Sequence, residues 1–235
     1  MLVDNHKIHN GESEKLLGIT FDNDLKFKEH VSNLCRKASQ KLHALSRISH
    51  HMCTDKKRVI MKSFIQSQFG YCPLVWMMHS RSLNRRINNI HKRSLRIVYD
   101  DYESSFLALL EKDNAFTVHE RNIQTLAIEV FKVVQGISPE IMKNVFPIKK
   151  DVKYCSKNIF ESHNVKTVHN GTETITYLGP KIWAIIPSNI KQITKLNEFK
   201  KKIRMWKPTN CPCRICKDYI AGVGFINITG GTDKQ

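Results

Sequence analysis

Three places in the 235-residue sequence hold residue types that could do chemistry. Cys211-Pro212-Cys213-Arg214-Ile215-Cys216 gathers three thiols. Thiolates bind Zn²⁺, so Cys211, Cys213 and Cys216 are candidate ligands. A closed structural site needs four ligands, and Cys155, His163 or His169 could supply the fourth if that region folds back. The competing reading is an ordinary set of reduced thiols, and three ligands alone predict substoichiometric metal. No other cofactor is indicated. Val98-Tyr99-Asp100-Asp101 sets two carboxylates side by side, as a two-metal phosphoryl-transfer site requires. The pair ends a helical pattern, where the dipole disfavours carboxylates, and no separate carboxylate strand accompanies it. A catalytic role is therefore not expected. Asp22 and Asp24 read as turn residues ahead of the first helix.

The third place is a concentration of positive charge. The net charge is +17, and residues 41–100 hold 12 Lys/Arg against 2 Asp, or +10. Over half of the charge thus lies in a quarter of the chain, which points to a polyanionic partner. The candidate nucleic-acid contacts in and just before this stretch are Arg36, Lys37, Lys41, Arg85, Arg86, Lys92, Arg93 and Arg96. Their spacing suits helices whose outer faces meet the phosphate backbone of RNA or DNA.

The elements that would position these residues follow from periodicity. Lys28 to His50 is a predicted helix with Val31, Leu34, Ala38, Leu42, Leu45 and Ile48 on its apolar stripe. Thr54 is a plausible N-cap for the next helix, along which Val59, Ile60, Phe64 and Ile65 recur. Gly70 and Pro73 break it, and Leu74-Val75-Trp76-Met77-Met78 must be buried. After Ser82 a further helix carries Leu83, Ile87, Ile90, Ser94, Ile97 and Val98 on one side. His50, His51 and His91 are expected to face phosphate or solvent. Trp76, Trp183 and Trp206, each among apolar neighbours, read as core anchors.

Before this body, residues 1–27 have β character, with a turn at Asn10-Gly11 and a short buried strand at Leu16-Leu17-Gly18-Ile19. Such a piece cannot stand alone and wants a partner sheet upstream of Met1. After the body, SSFLALLEKDN predicts a helix capped by Ser104 or Ser105. Thr117-Val118-His119-Glu120 is a capping box, with Gly136 at the C′ position. Ser138-Pro139 opens another helix, with serine as cap. Residues 147–163 form a weakly patterned loop. Residues 165–177 alternate about Asn170-Gly171, a hairpin signal. Gly179-Pro180 starts a short helix that Pro187 ends, and Leu196, Phe199, Ile203 and Trp206 line the last one. The fold class is mainly α with small β elements.

Two stretches, LLGITFDNDLKFKEHV and SQFGYCPLVWMMHSRSLNRRINNIHKRSLRIVY, resemble the end of a non-LTR retrotransposon reverse transcriptase of the jockey-like group. HERNIQTLAIEVFKVVQGISPEIM, LGPKIWAIIPSNIK and LNEFKKKIRMWKPTNCPCRICKDYI are similar to the carboxy-terminal extension of the same polyproteins. The resemblance implies that Leu16, Leu17 and Gly18 are primer-grip residues and that residues 28–100 form a basic, thumb-like helical bundle. Residues 1–27 would be the remnant of the palm, 101–146 a helical continuation and 147–235 the extension. Fingers, most of the palm and the catalytic carboxylates would be missing, so the chain is not expected to polymerise. Its partners would be RNA or DNA backbone and the missing fingers and palm portion. The alternatives are an interaction remnant docking through its N-terminal strands, or a relic without selected function.

No apolar run approaches the ~20 residues that span a bilayer, so no membrane partner is expected. MLVDNHKIHN has no apolar signal core, and the seven cysteines are odd in number and unevenly spread. Both features predict the cytosol or nucleus rather than secretion.

Overall fold

In the computed structural model, the described residues are 2–3, 6–7, 11–149, 159–161, 171, 174–209, 211–213 and 215. They are mostly helical with small antiparallel strand pairs, the expected fold class. The chain divides into two compact units. One comprises residues 1–72 and 79–99, the other residues 73–78 and 100–235.

The first unit opens with two hairpins. β1 (Leu2–Val3) pairs with β2 (His6–Lys7), and β3 (Ser13–Leu16) pairs with β4 (Ile19–Asp22). Leu16-Leu17-Gly18-Ile19 is therefore not a buried strand. Leu17 and Gly18 have φ values of 48° and 85° and form the two-residue turn between β3 and β4. Positive φ at both central residues is the type I′ hairpin turn, a conformation that glycine adopts without strain and leucine does not. Tyr71 Oη donates to the Leu17 carbonyl at 2.8 Å and braces this turn. Asn10 lies outside the described residues.

α1 (Lys28–Ile48) starts where Asp22 places it. The Asp22 carboxylate accepts from the backbone N–H groups of Lys26 (2.6 Å) and Lys28 (3.1 Å), satisfying donors that the helix start leaves open. Asp24 pairs with Lys26, so both carboxylates act as turn residues. Val31, Cys35, Ala38, Leu42 and Leu45 are buried, whereas Ile48 is exposed.

α2 (Thr54–Ile60) runs on through a wider π turn, Met61–Ile65, and a tighter 3₁₀ turn, Gln66–Phe69. Its N-cap is Cys53 rather than Thr54. The buried residues are Lys57, Met61, Ile65 and Phe69, four apart, while Val59 and Phe64 are exposed. Widening the turn shifts the register by a residue, so a stripe drawn for an unbroken α-helix drifts off the buried side.

α4 (Arg81–Tyr99) packs on α1 and α2. Leu83, Ile87, Ile90, Ser94, Ile97 and Val98 are all buried as the periodicity requires. Asn84, Asn88, His91 and Leu95 widen that face. His91 is thus a core residue, not a phosphate-facing one. Its Nε2 lies 3.0 Å from Gln66 Nε2.

The second unit contains the elbow, α3 (Pro73–Trp76), which packs on α6 (Val118–Val134). Trp76 and Met77 are fully buried. α5 (Phe106–Lys112) is capped by Ser105, whose Oγ accepts from Ala108 N at 3.2 Å. The Thr117–Glu120 capping box forms in full. Gly136, at φ 70°, ends α6 with its N–H on the Val133 carbonyl and that of Ile137 on the Lys132 carbonyl. That pair of bonds is the Schellman closure. α7 (Glu140–Val145) begins one residue later than predicted, with Pro139 at the N-cap instead of Ser138. The ends of the 147–163 loop meet in one antiparallel bridge, Ile148 with Phe160.

The expected hairpin gives way in its second arm. Ile175–Tyr177 opens a helix, α8 (Ile175–Ile185), capped by Thr174, whose side chain accepts from Tyr177 N at 3.3 Å. Residues 165–170 lie outside the described residues. Gly179 and Pro180 are inside α8 rather than at its start. A Cβ at Gly179 would run into the Phe146 ring, so glycine lets that ring sit on the helix. α9 (Ser188–Lys191) and α10 (Leu196–Met205) complete the unit. Phe199 stacks on Phe131 with ring centroids 4.0 Å apart, and Ile203 and Trp183 are buried in the same core. Leu196 and Trp206 pack against it half-buried.

Candidate functional site

The basic surface is built on α4 and α1. α4 carries Arg81, Arg85, Arg86, Lys92, Arg93 and Arg96 and no carboxylate along its 19 residues. Helical spacing puts Arg81, Arg85, Lys92 and Arg96 opposite Leu83, Ile87, Ile90, Ser94, Ile97 and Val98, with Arg86 and Arg93 along the edge of that stripe. Arg85, Arg86 and Arg93 are exposed, and Lys92 and Arg96 are half-buried. Burial lowers the pKa of Lys92, and Arg96 one turn on lowers it further, a sign of crowded positive charge.

On α1, Arg36 and Lys37 are exposed and Lys41 is half-buried. The packed pair α1 and α4 brings Arg86 within electrostatic reach of Cys35. Burial pushes the Cys35 thiol up to about 11, with the Arg86 guanidinium opposing it. All eight predicted phosphate contacts therefore lie on two helices of one unit. What this arrangement can do is hold a polyanion by charge-assisted hydrogen bonds.

The residues assigned to a primer grip form an exposed tip. Leu16 and Leu17 are 62% and 81% exposed at the β3–β4 turn, with Gly18 beside them. The adjacent carboxylates are occupied in the loop after α4. Asp101 accepts from Ser104 N (3.0 Å), Ser104 Oγ (2.8 Å) and Lys112 Nζ (3.4 Å). The Ser104 backbone and hydroxyl bonds hold its pKa below the ordinary carboxylate value.

The thiol cluster finds a partner that sequence spacing did not suggest. Cys211 and Cys213 are buried beside His119, whose Nε2 is 3.1 Å from Cys213 Sγ. One ligand atom from each of the three lies within 4.8 Å of the other two, so this buried His/Cys/Cys group could hold a metal. Cys216, Cys155, His163 and His169 lie outside the described residues. His119 is the second residue of α6, inside the Thr117–Glu120 capping box. Nothing local marks it, because it stands 94 residues from Cys213.

No helix among the described residues is long and apolar enough to cross a membrane. Comparison with protein-family models, with curated proteins and with solved structures gives no match.

Proposed function

We propose that the chain holds RNA or DNA backbone without sequence preference, as the carboxy-terminal, non-catalytic portion of a non-LTR retrotransposon reverse transcriptase. One observation supports this reading above the others: α4 carries six cations and no carboxylate, and four of the six, Arg81, Arg85, Arg86 and Arg93, are exposed. A merely solvated helix face ordinarily mixes both signs, whereas phosphate contacts need one sign at short repeat. Arg85, Arg86, Arg93, Arg36 and Lys37 make the outermost contacts, with Lys41, Lys92 and Arg96 behind them. The duty places the chain in cytoplasm or nucleus, and a Zn²⁺ ion at the thiol cluster would serve it structurally.

Binding to labelled duplex and single strands across a salt series tests the reading. With 6–8 phosphate contacts, log K falls against log[salt] with a slope of about −5 to −7 on duplex DNA. A flat salt dependence, or no binding at low salt, overturns it. Primer extension with Mg²⁺ or Mn²⁺ should stay at background. Extension abolished by Asp100→Asn or Asp101→Asn would overturn the non-catalytic part.

The docking alternative has its own support. Among the described residues β3 pairs only with β4, and all four of its residues are exposed, so its other edge is open for pairing with another chain. Association with a fingers-and-palm fragment that is indifferent to salt would favour it.

A further inference from the structure

The end of α10 is tied to α6 by Gln124, whose Nε2 donates to the carbonyls of Trp206 (2.8 Å) and Arg204 (3.4 Å). From that anchor the chain runs past the buried Pro208 to Cys211 and Cys213, which close on His119 in the first turn of α6. All three side chains are nearly inaccessible, at 3%, 3% and 6% for His119, Cys211 and Cys213. The imidazole's Nδ1 is buried without a hydrogen-bond partner among the described residues, which leaves Nε2 as its one polar contact.

We propose that His119, Cys211 and Cys213 bind one Zn²⁺ ion through Nε2 and the two Sγ atoms, fastening residues 211–213 to the start of α6. The donor set is two thiolates and an imidazole, with no carboxylate in the group. Soft sulfur with imidazole favours Zn²⁺ and disfavours the oxygen-seeking Mg²⁺ and Ca²⁺. Bond lengths of ~2.3 Å to sulfur and ~2.0–2.1 Å to nitrogen put tetrahedral ligand atoms about 3.5–3.8 Å apart. The observed spacing, from 3.1 Å to at most 4.8 Å, brackets that value, so side-chain shifts of about an ångström set three corners of the tetrahedron, and a water molecule takes the fourth.

The proton balance is definite. Each thiol loses one proton as its Zn–S bond forms, the neutral imidazole loses none, and about two protons leave per ion. The product is electrically neutral, two thiolates against one dication, which suits a buried position where unbalanced charge is costly. The ion joins positions 94 residues apart. It therefore removes far more freedom from the unfolded chain than a local knuckle would.

This inference does not rest on the nucleic-acid reading, and its test uses none. The full chain, prepared metal-free under reducing conditions, is titrated with Zn²⁺ and separately with Co²⁺. Expected are about one ion per chain, about two protons released per Zn²⁺, and a cobalt spectrum with tetrahedral and thiolate charge-transfer bands. Cys211→Ser with Cys213→Ser should abolish those bands, and His119→Ala should weaken binding by about tenfold or more. If a variant fails to fold, the proton count and cobalt spectrum of the parent chain still decide. A folded parent chain that takes up no cobalt in a thiolate site overturns the proposal. So does a His119→Ala chain that binds as tightly as the parent.

Discussion

Nδ1 of His30 accepts the backbone N–H of Thr20 at 3.4 Å, joining β4 to α1 through a buried imidazole. Accepting at Nδ1 requires the neutral ring. Burial first, and the Lys37 charge second, lower the pKa of His30 below its ordinary value. A histidine depressed in this way contributes stability that is complete above the unfolded value of ~6.5 and is lost as pH falls through the folded value. The first unit should therefore weaken below about pH 6.5, by at most about 1.4 kcal/mol per pH unit from this group. Chemical unfolding of His30→Asn between pH 7.5 and 5 should show a shallower decline than the parent. Parallel declines would remove the assignment.

The placement of charge, beyond its amount, is open to a paired comparison. Arg85, Arg86 and Arg93 changed to Glu shift the net charge by −6, as do Lys201, Lys202 and Arg204 of α10 changed to Glu. All six side chains are exposed, so both variants should stay folded. The α4 set should lose on the order of 1 kcal/mol per contact, and its salt slope should fall by roughly three. The α10 set should keep most of its slope. Equal losses would reduce the surface to a generic polycation.

Thiol chemistry should separate the cysteines of the first unit. Cys53 and Cys72 are exposed, whereas Cys35 is fully buried and its thiol is pushed up to about 11. Alkylation at pH 8 followed by peptide mapping should show Cys53 and Cys72 modified rapidly. Cys35 should react only on the timescale of local or global opening. Because its folded pKa is raised, its contribution to stability is complete below the ordinary thiol range and lost as pH rises towards 11.

Close packing at Gly179 can be measured directly. Gly179→Ala should destabilise the second unit by about 1–3 kcal/mol through overpacking against Phe146. Adding Phe146→Leu should recover part of that loss. A urea midpoint unchanged by Gly179→Ala would refute the contact.

The apolar stripe of α4 was legible in the sequence because nineteen unbroken α-helical residues let one period hold, whereas the buried Asn84, Asn88 and His91 were not, since polar side chains give no apolar signal. The Thr117–Glu120 box was legible for a related reason: capping is satisfied within four residues and needs no distant partner. The stripe failed at Phe64 where a π turn at Met61–Ile65 changed the period, and at Val59 because α2 turns Lys57 rather than Val59 inward. Leu16-Leu17-Gly18-Ile19 looked like a buried strand because apolar runs imply burial, yet positive φ at Leu17 and Gly18 makes it a turn. At the thiol cluster, Cys211 and Cys213 were legible from spacing. His119 was not, since no one-dimensional pattern reports a contact across 94 residues.

The elbow carries a consequence for the order of events on the ribosome. Residues 73–78 fold with the second unit, although the segments on both sides of them fold with the first. Met77 is buried in the core that α6 helps to build, so it emerges well before the helix that covers it has been made. At ~5–20 residues per second the wait is on the order of seconds. Through that interval the nascent chain displays the apolar Leu74, Met77 and Met78 without their core, a ready handhold for a chaperone. A fragment ending at Tyr99 would keep that handhold permanently exposed.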